Sequence, residues 1–319
     1  MRLSRSLQDK RILITGITGF IGSHLAKKLL VLGAKVYGIS RTVSKRNIYK
    51  VDILDHEAIH EVINKKKIEI CFHLAGESLV EVGQKEPYKT FEVNTLGTLG
   101  VLEAARKNNL ERIIIASSSH VYGKNKLPYY EGYIPRPSRP YETSKACTDL
   151  IAQSYADTYS LPVLIPRFVN IYGPYDLNFN RVIPQTIRNI LLHKTPKLWG
   201  VGTTRDYLFV DDAVDAYLSL AVHTIKDSKK NRIYNFGSGN PVSVADLMQK
   251  LISISGSDLA IEKIAEVRPF EIQAQYVSFA KARRELQWEP RFSLEEGLRN
   301  TFQWYKSYFS ENKRIAALL

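Results

Sequence analysis

Thr15-Gly16-Ile17-Thr18-Gly19-Phe20-Ile21-Gly22 decides the fold. It follows a short apolar stretch, Arg11–Thr15, which reads as a strand. It opens Ile21–Leu32, whose apolar residues recur at helical spacing and stop at Gly33. Glycines three residues apart permit a tight turn and let backbone approach a pyrophosphate, whose charge meets the helix N-terminus. A strand, this loop and a helix together predict a dinucleotide site at Gly16, Thr18, Gly19, Phe20, Ile21 and Gly22. The plainer alternative is a Gly-rich turn without ligand.

Outward from the loop the alternation continues. Lys35–Ser40 reads as a second strand, and Ile68–Leu74 and Arg112–Ser117 as two more, each after a helical stretch. Buried strands separated by helices predict an α/β fold, a Rossmann-like doubly wound parallel sheet. Pro135–Pro140 is a Pro-rich loop leading into a long helix, about Glu142–Tyr159. After Pro174 the pattern becomes irregular. The expected division is a dinucleotide-binding domain over 1–174 and a smaller, interleaved, mainly substrate domain over 175–319. Part of 205–236 should return to the main sheet, because Arg232–Phe236 reads as a strand. No linker separates the two, so they should share one cleft.

In many NAD sites the second strand ends in an acidic residue that binds the ribose hydroxyls. Here it ends Gly38-Ile39-Ser40-Arg41. No carboxylate repels a 2′-phosphate, and Arg41 is placed to pair with one, which favours NADP(H) over NAD(H). Otherwise Arg41 stacks on adenine or faces water. Asp52-Ile53, just before a helix, is expected near the adenine or as a helix cap.

Composition bounds the rest. The chain has 319 residues, 44% of them hydrophobic and 24% charged, as in a globular protein. No apolar run approaches the length of a membrane span, and Met1–Lys10 lacks a signal-peptide core, so the default expectation is cytoplasmic. Cys71 and Cys147 are too few for a disulfide scaffold or a four-Cys zinc site, and the histidines show no metal-ligand spacing. Lys and Arg number 45 against 32 Asp and Glu, a formal charge of +13. The basic residues are dispersed and not interleaved with aromatics, so a solvated surface is expected and not a nucleic-acid partner.

With these elements placed, the chain resembles the extended short-chain dehydrogenases/reductases that modify nucleotide sugars. The likeness runs from Lys10 to Tyr305. It rests on Thr15–Gly22, Asp52-Ile53, His73–Gly76, Asn94–Thr98, Ser117–Gly123 and Tyr141–Lys145, then on Arg167–Pro174, Arg205–Tyr207, Tyr234–Gly237 and Leu286–Pro290. Within the family, Asp149–Tyr155 and Asp176–Arg181 look most like CDP-glucose 4,6-dehydratases. The resemblance implies that Leu74, Ala75, Gly76, Asn94 and Ser117 lie along the cofactor. It implies that Ser119, Asn170, Arg181, Arg205, Asn235 and Arg268 bind a nucleotide diphosphate sugar. It also implies a homodimer in which the helices around Thr98–Arg106 and Ser144–Tyr159 pair across a twofold axis.

The residues themselves support a redox centre. Tyr141 and Lys145 are four apart at a helix start and project from one face. A lysine cation beside a phenol lowers its pKa, so Tyr141 can take a proton from a sugar hydroxyl as hydride leaves the same carbon. Lys145 would also bind the nicotinamide ribose, and Ser118 would bond the reacting oxygen. The departure from the dehydratases lies directly after Ser118. Their acid/base pair, Asp-Glu or Asp-Lys, is here Ser119-His120. Histidine can serve as a base near neutral pH, but serine is a poor acid. The first expectation is therefore an NAD(P)-dependent epimerase acting through a 4-keto intermediate. A 4,6-dehydratase using His120, a 4-keto reductase, and a non-catalytic dinucleotide-binding protein are the alternatives.

Overall fold

Successive residues of one strand feed two cores in a computed structural model of the chain. The structure describes residues 2–199, 202–224, 232–264 and 272–311. After α1 (Arg2–Leu7), β1 spans Arg11–Thr15 and buries Ile12, Leu13 and Ile14 completely. Side chains alternate across a strand, so Ile12 and Ile14 enter one apolar cluster and Leu13 the other. The same alternation holds after α2 (Phe20–Val31), β2 (Lys35–Ser40), β3 (Ile48–Lys50) and α3 (His56–Lys66). In β4 (Ile70–His73), Phe72 faces the first cluster and Cys71 the second.

The chain continues through α4 (Val80–Lys85), α5 (Pro87–Phe91), a π-helical turn (Glu92–Leu96), α6 (Gly97–Lys107), β5 (Arg112–Ile115) and β6 (Ser117–Ser118). A 3-10 turn (Ser119–Tyr122), α7 (Pro140–Tyr159) and β7 (Val163–Phe168) follow. Leu25, Ala26 and Leu29 of α2 cover one face of the sheet. Ile59 and Ile63 of α3, Val101 and Leu102 of α6, and Ala152 and Ala156 of α7 cover the other. Coverage on both faces explains why these strands read as continuous apolar runs.

The second half adds β8 (Asn170–Tyr172), α8 (Val182–Leu191), β9 (Lys197–Leu198), β10 (Thr204–Arg205), β11 (Tyr207–Phe209), α9 (Val210–Val222) and β12 (Ile233–Phe236). It ends with β13 (Val242–Ser243), α10 (Val244–Ser255), β14 (Glu262–Lys263), β15 (Ala274–Gln275), α11 (Ala280–Leu286) and α12 (Leu294–Glu311). The main sheet runs β3-β2-β1-β4-β5-β7-β12, with β6 also on β7, and its pairs are parallel. Chain order reverses between β1 and β4, which opens a crevice at their C-terminal ends. A third apolar cluster joins β8 and β11 to α8, α10 and α12 through Ile183, Ile187, Leu251, Leu298 and Phe302. Among the described residues, no helix is long and apolar enough to cross a membrane.

Candidate active site

The crevice holds a cleft of about 410 Å³ whose wall is the Gly-rich loop. Gly16 adopts φ +72, a left-handed conformation that disfavours a Cβ, and its amide donates to Ile39 O at 3.0 Å. A Cβ on Gly22 would lie 2.2 Å from Gly16 O, so only glycine lets α2 start this close to the turn. Gly16, Thr18, Gly19, Phe20, Ile21 and Gly22 all line the cleft. This cradle fits a dinucleotide pyrophosphate at the helix N-terminus.

Leu74, Ala75 and Gly76 form the facing wall, with Ser40, Arg41 and Ile53 at one end. Ser40 is buried, and its hydroxyl meets Thr18 Oγ1 at 3.1 Å, tying the end of β2 to the loop. Arg41 is exposed at the mouth. Asp52 does not line the cleft: its carboxylate accepts the Leu54 N–H at 3.0 Å, a local turn. The cap of α3 is Asp55, which accepts the Ala58 N–H at 3.0 Å.

Tyr141 and Lys145 lie on the first turns of α7, beside the cleft and not among the residues that line it. Lys145 Nζ donates to Ala116 O at 3.0 Å, and Ala116 lines the cleft. Burial pushes the Lys145 ammonium down to about 8. The Tyr141 phenol lies close to the Ser118 hydroxyl. The expected lowering of its pKa by Lys145 is not what the structure shows. Burial raises the phenol above its ordinary value, and the nearby Ser118 hydroxyl and the Arg181 charge pull it back only in part. Tyr217 of α9 lines the cleft and was not foreseen; among α9's buried apolar residues nothing singles it out.

Asn94 is expected along the cofactor, but it is 2% exposed and bonded to protein throughout. Its Oδ1 accepts Glu77 N–H at 2.7 Å, and its Nδ2 donates to Glu77 O at 3.0 Å and to Ser144 Oγ at 2.9 Å. It clamps the cleft wall to α7 and does not face the cleft. His73 is likewise structural. Thr15 Oγ1 accepts the Leu74 and Ala75 amides, so its proton goes to His73 Nδ1 at 2.8 Å. Nε2–H then donates to Thr98 Oγ1 at 3.0 Å. Burial, reinforced by the Lys145 charge, pushes the imidazole down to about 3, so it stays neutral.

Two further expectations are corrected. Ser117 turns away from the cofactor cleft: its hydroxyl donates to Asp149 at 3.1 Å, inside an ion pair of Asp149 with Arg167 at 2.7 Å. Adjacent strand residues face opposite ways, so Ser118 alone reaches Tyr141. Asn235 is fully buried; its Oδ1 accepts the Tyr122 hydroxyl at 2.6 Å and its Nδ2 donates to Tyr129 O at 3.1 Å. It does not line the cleft.

Arg181 does reach the cleft. It pairs with Asp176 at 3.0 Å and donates to Ser78 Oγ at 3.0 Å across the rim. Asn170 is half-buried on β8, and its Nδ2 donates to Asp206 O at 3.4 Å. Arg205 donates to Thr204 O at 2.9 Å, and its charge acts on His120 and Tyr129. Ser119 is 2% exposed in the 3-10 turn. Arg268 lies outside the described residues.

Glu142 and Arg139 complete the surroundings of Tyr141 and were not foreseen. The Glu142 carboxylate is fully buried and takes a forked pair from Arg139, Nε at 2.8 Å and Nη2 at 2.6 Å. It also accepts Ser138 N–H at 3.1 Å. His120 Nδ1 lies 3.5 Å from Glu142 Oε1, and its ring stands edge-on to Tyr141 with centroids 5.8 Å apart. Burial alone would raise Glu142; the His120 contact, the Ser138 amide and the Arg139 charge hold it instead at about 2. The sequence signal was Arg139-Pro140-Tyr141-Glu142, a proline helix start with an acid in the first turn. Among the described residues, no three His, Cys, Asp or Glu side chains gather as metal ligands would.

Comparison with known proteins agrees with this geometry. Residues 12–237 match the NAD dependent epimerase/dehydratase family. The dTDP-D-glucose 4,6-dehydratase of Dictyostelium discoideum is 30% identical, over 93% of this chain and 82% of the relative. A UDP-glucose 4-epimerase of Thermotoga maritima, solved with UDP-glucose, superposes with a TM-score of 0.88 at 30% identity, covering 94% of this chain and 99% of that one. The UDP-glucose 4-epimerase of Thermus thermophilus, solved with NAD, gives 0.84 at 28% identity, covering 93% and 99%. With its Gly-rich cradle, its doubly wound sheet and a match over most of its length, the chain belongs to the NAD-dependent epimerase/dehydratase family of extended short-chain dehydrogenase/reductase enzymes.

Proposed function

We propose that the protein is a nucleotide-sugar epimerase that works through a 4-keto intermediate. The observation that carries this reading is the meeting of Tyr141, Ser118 and Lys145 beside the Gly-rich cleft, with Lys145 Nζ bonded at 3.0 Å to O of the cleft-lining Ala116. Bound nicotinamide supplies hydride acceptance and return. The chain's residues handle the rest. Tyr141 takes the proton of the sugar 4-hydroxyl and returns it after the ketone has turned over. Ser118 holds that oxygen. Lys145, an ammonium below about pH 8, offers its charge to the ribose hydroxyls. Arg205 offers charge to a diphosphate. Arg41, with no acid at the end of β2, supports NADP(H) ahead of NAD(H). The division into residues 1–174 for the dinucleotide and mainly 175–319 for the sugar belongs to the same proposal, as does a homodimer. Leu96 and Leu99, beside and on α6, and Leu150 and Tyr159 on α7 are 55%, 37%, 56% and 52% exposed, an apolar face suited to a twofold partner.

The second reading is a 4,6-dehydratase with His120 as base, favoured by its ring beside Tyr141. The test incubates the enzyme with NAD or NADP and a panel of CDP-, GDP-, UDP- and dTDP-sugars in deuterated water, read by NMR and mass spectrometry. Inversion at carbon 4, without deuterium there and without loss of water, is expected. Tyr141→Phe should lower turnover by about two to four powers of ten while dinucleotide still binds. Loss of one water overturns the epimerase reading for the dehydratase. Stoichiometric NADPH consumption overturns it for a reductase. Binding of dinucleotide and sugar without turnover overturns it for a non-catalytic binding protein.

A further inference from the structure

We infer that Glu142 is a positioning residue that fixes His120 as a second proton-transfer group beside Tyr141, aimed at a carbon flanking the 4-ketone. The inference rests on the 4-keto reading for its substrate, but its geometry stands by itself. Glu142 is fully buried, and its carboxylate is anchored by Arg139 and the Ser138 amide. His120 presents Nδ1 to that carboxylate at 3.5 Å. Nε2 has no hydrogen-bond partner among the described residues. A carboxylate accepts and cannot donate, so Nδ1 carries the proton and Nε2 keeps its lone pair. Such contacts are often long before substrate binds and tighten afterwards.

The charges facing His120 are few: Glu142 and Arg139 from the start of α7, and Arg205 from β10, with the neutral Tyr141 ring at its edge. Burial lowers the imidazole pKa; Glu142 offsets part of this, while the two arginines add to it. At neutral pH the ring is therefore an uncharged base. Its task differs from that of Tyr141, which serves an oxygen-bound proton. Once carbon 4 is a ketone, a neighbouring C–H is acidified. His120 Nε2 takes that proton, the C–H pair becomes an enolate, and the enolate oxygen is held by Ser118 and Tyr141. Return of the proton from Nε2–H restores the ketone. No oxidant is consumed.

Two measurements test this. Nitrogen-15 NMR of histidine-labelled protein at pH 7.5 should show His120 as the neutral Nδ1–H tautomer. Glu142→Gln should shift it toward Nε2–H and lower its titration midpoint, a response that a merely structural glutamate would not produce. A wild-type Nε2–H tautomer, or no response to Glu142→Gln in folded protein, overturns the positioning role. The second measurement compares solvent deuterium entering carbons 3 and 5 with nicotinamide reduction in the same samples, using the nucleotide-sugar panel. His120→Asn, which leaves the Arg139–Glu142 fork in place, should lower the ratio of exchange to hydride transfer by about 100-fold or more. An unchanged ratio, or reduction without exchange in the wild type, overturns the inference. Absence of both turnover and transient nicotinamide reduction with every sugar overturns the 4-keto reading instead, and the tautomer still decides the role of Glu142.

Discussion

Replacing Gly22 by alanine should disable the cofactor cradle without touching any reacting group. An added Cβ would sit 2.2 Å from Gly16 O, 2.9 Å from Ile17 Cα and 3.0 Å from Gly16 C. All three are backbone atoms, so no rotamer change relieves the clash. Ordinary contact begins near 3.4 Å, so α2 and the loop must separate by about 1 Å. Overpacking of this kind costs about 1–3 kcal/mol of stability. It also carries the amides at the start of α2 away from the pyrophosphate, and misplacement of about 1 Å in a functional group costs on the order of 100-fold. Calorimetric titration with NAD and NADP should therefore show dinucleotide affinity reduced by that order. Thermal unfolding should fall by a few degrees. Two controls grade the argument. A Cβ on Gly19 would lie 3.2 Å from Gly16 O, so Gly19→Ala should be milder, and Gly132 has open space, so Gly132→Ala should be neutral. Gly22→Ala protein that binds either dinucleotide within twofold of wild type would refute the reasoning.

The remaining predictions concern selectivity and assembly. Arg41→Ala should weaken NADP binding far more than NAD binding, because guanidinium–phosphate contacts are strong and directional; equal losses by calorimetry would remove Arg41 as the selector. Leu150→Glu places a charge on the exposed face of α7 and should give monomers by light scattering at micromolar concentration, where the wild type should run as a dimer; a wild-type monomer would refute the paired-helix assembly.

The loop and the sheet were legible because their demands are local. A left-handed Gly16 and a Cβ-free Gly22 are requirements of the turn itself, visible in three letters. That Tyr141 and Lys145 sit together on the first turns of α7 was legible because four residues is one helical turn. Failures arose where facing, not spacing, decides. Ser117 and Ser118 are identical neighbours in the sequence, and only the pairing of β6 with β7 sends one to Asp149 and the other to Tyr141. Asn94 and Asn235 carry the amide a ligand would use, but both are buried and bonded to neighbouring protein groups. Glu142 was overlooked for the opposite reason. A glutamate in a first turn reads as a solvated partner of the helix dipole, and its complete burial follows from Arg139 and His120 closing over it.

These buried polar groups explain how the site keeps its shape. An unpaired charge in the interior is expensive, and a pair is tolerated only when its geometry is good. Arg167, on β7, meets Asp149 of α7 through Nε at 2.7 Å and Nη2 at 3.1 Å, and stacks its guanidinium over Tyr122 at 4.7 Å. Tyr122 closes the 3-10 turn that carries His120, and its hydroxyl donates a hydrogen bond to Asn235 Oδ1 of β12. Ser117 bonds the same carboxylate. One chain of contacts therefore joins β6, α7, β7, the His120 turn and β12 beneath the reacting hydroxyls. Shifting α7 along the sheet would break the fork between Asp149 and Arg167, so Tyr141 cannot slide relative to Ser118 without that penalty. The residues that fell outside the cleft thereby fix the separation of those inside it. In the proposed mechanism Ser118 and Tyr141 need that rigidity, because each would contribute a single short-range hydrogen bond to one oxygen.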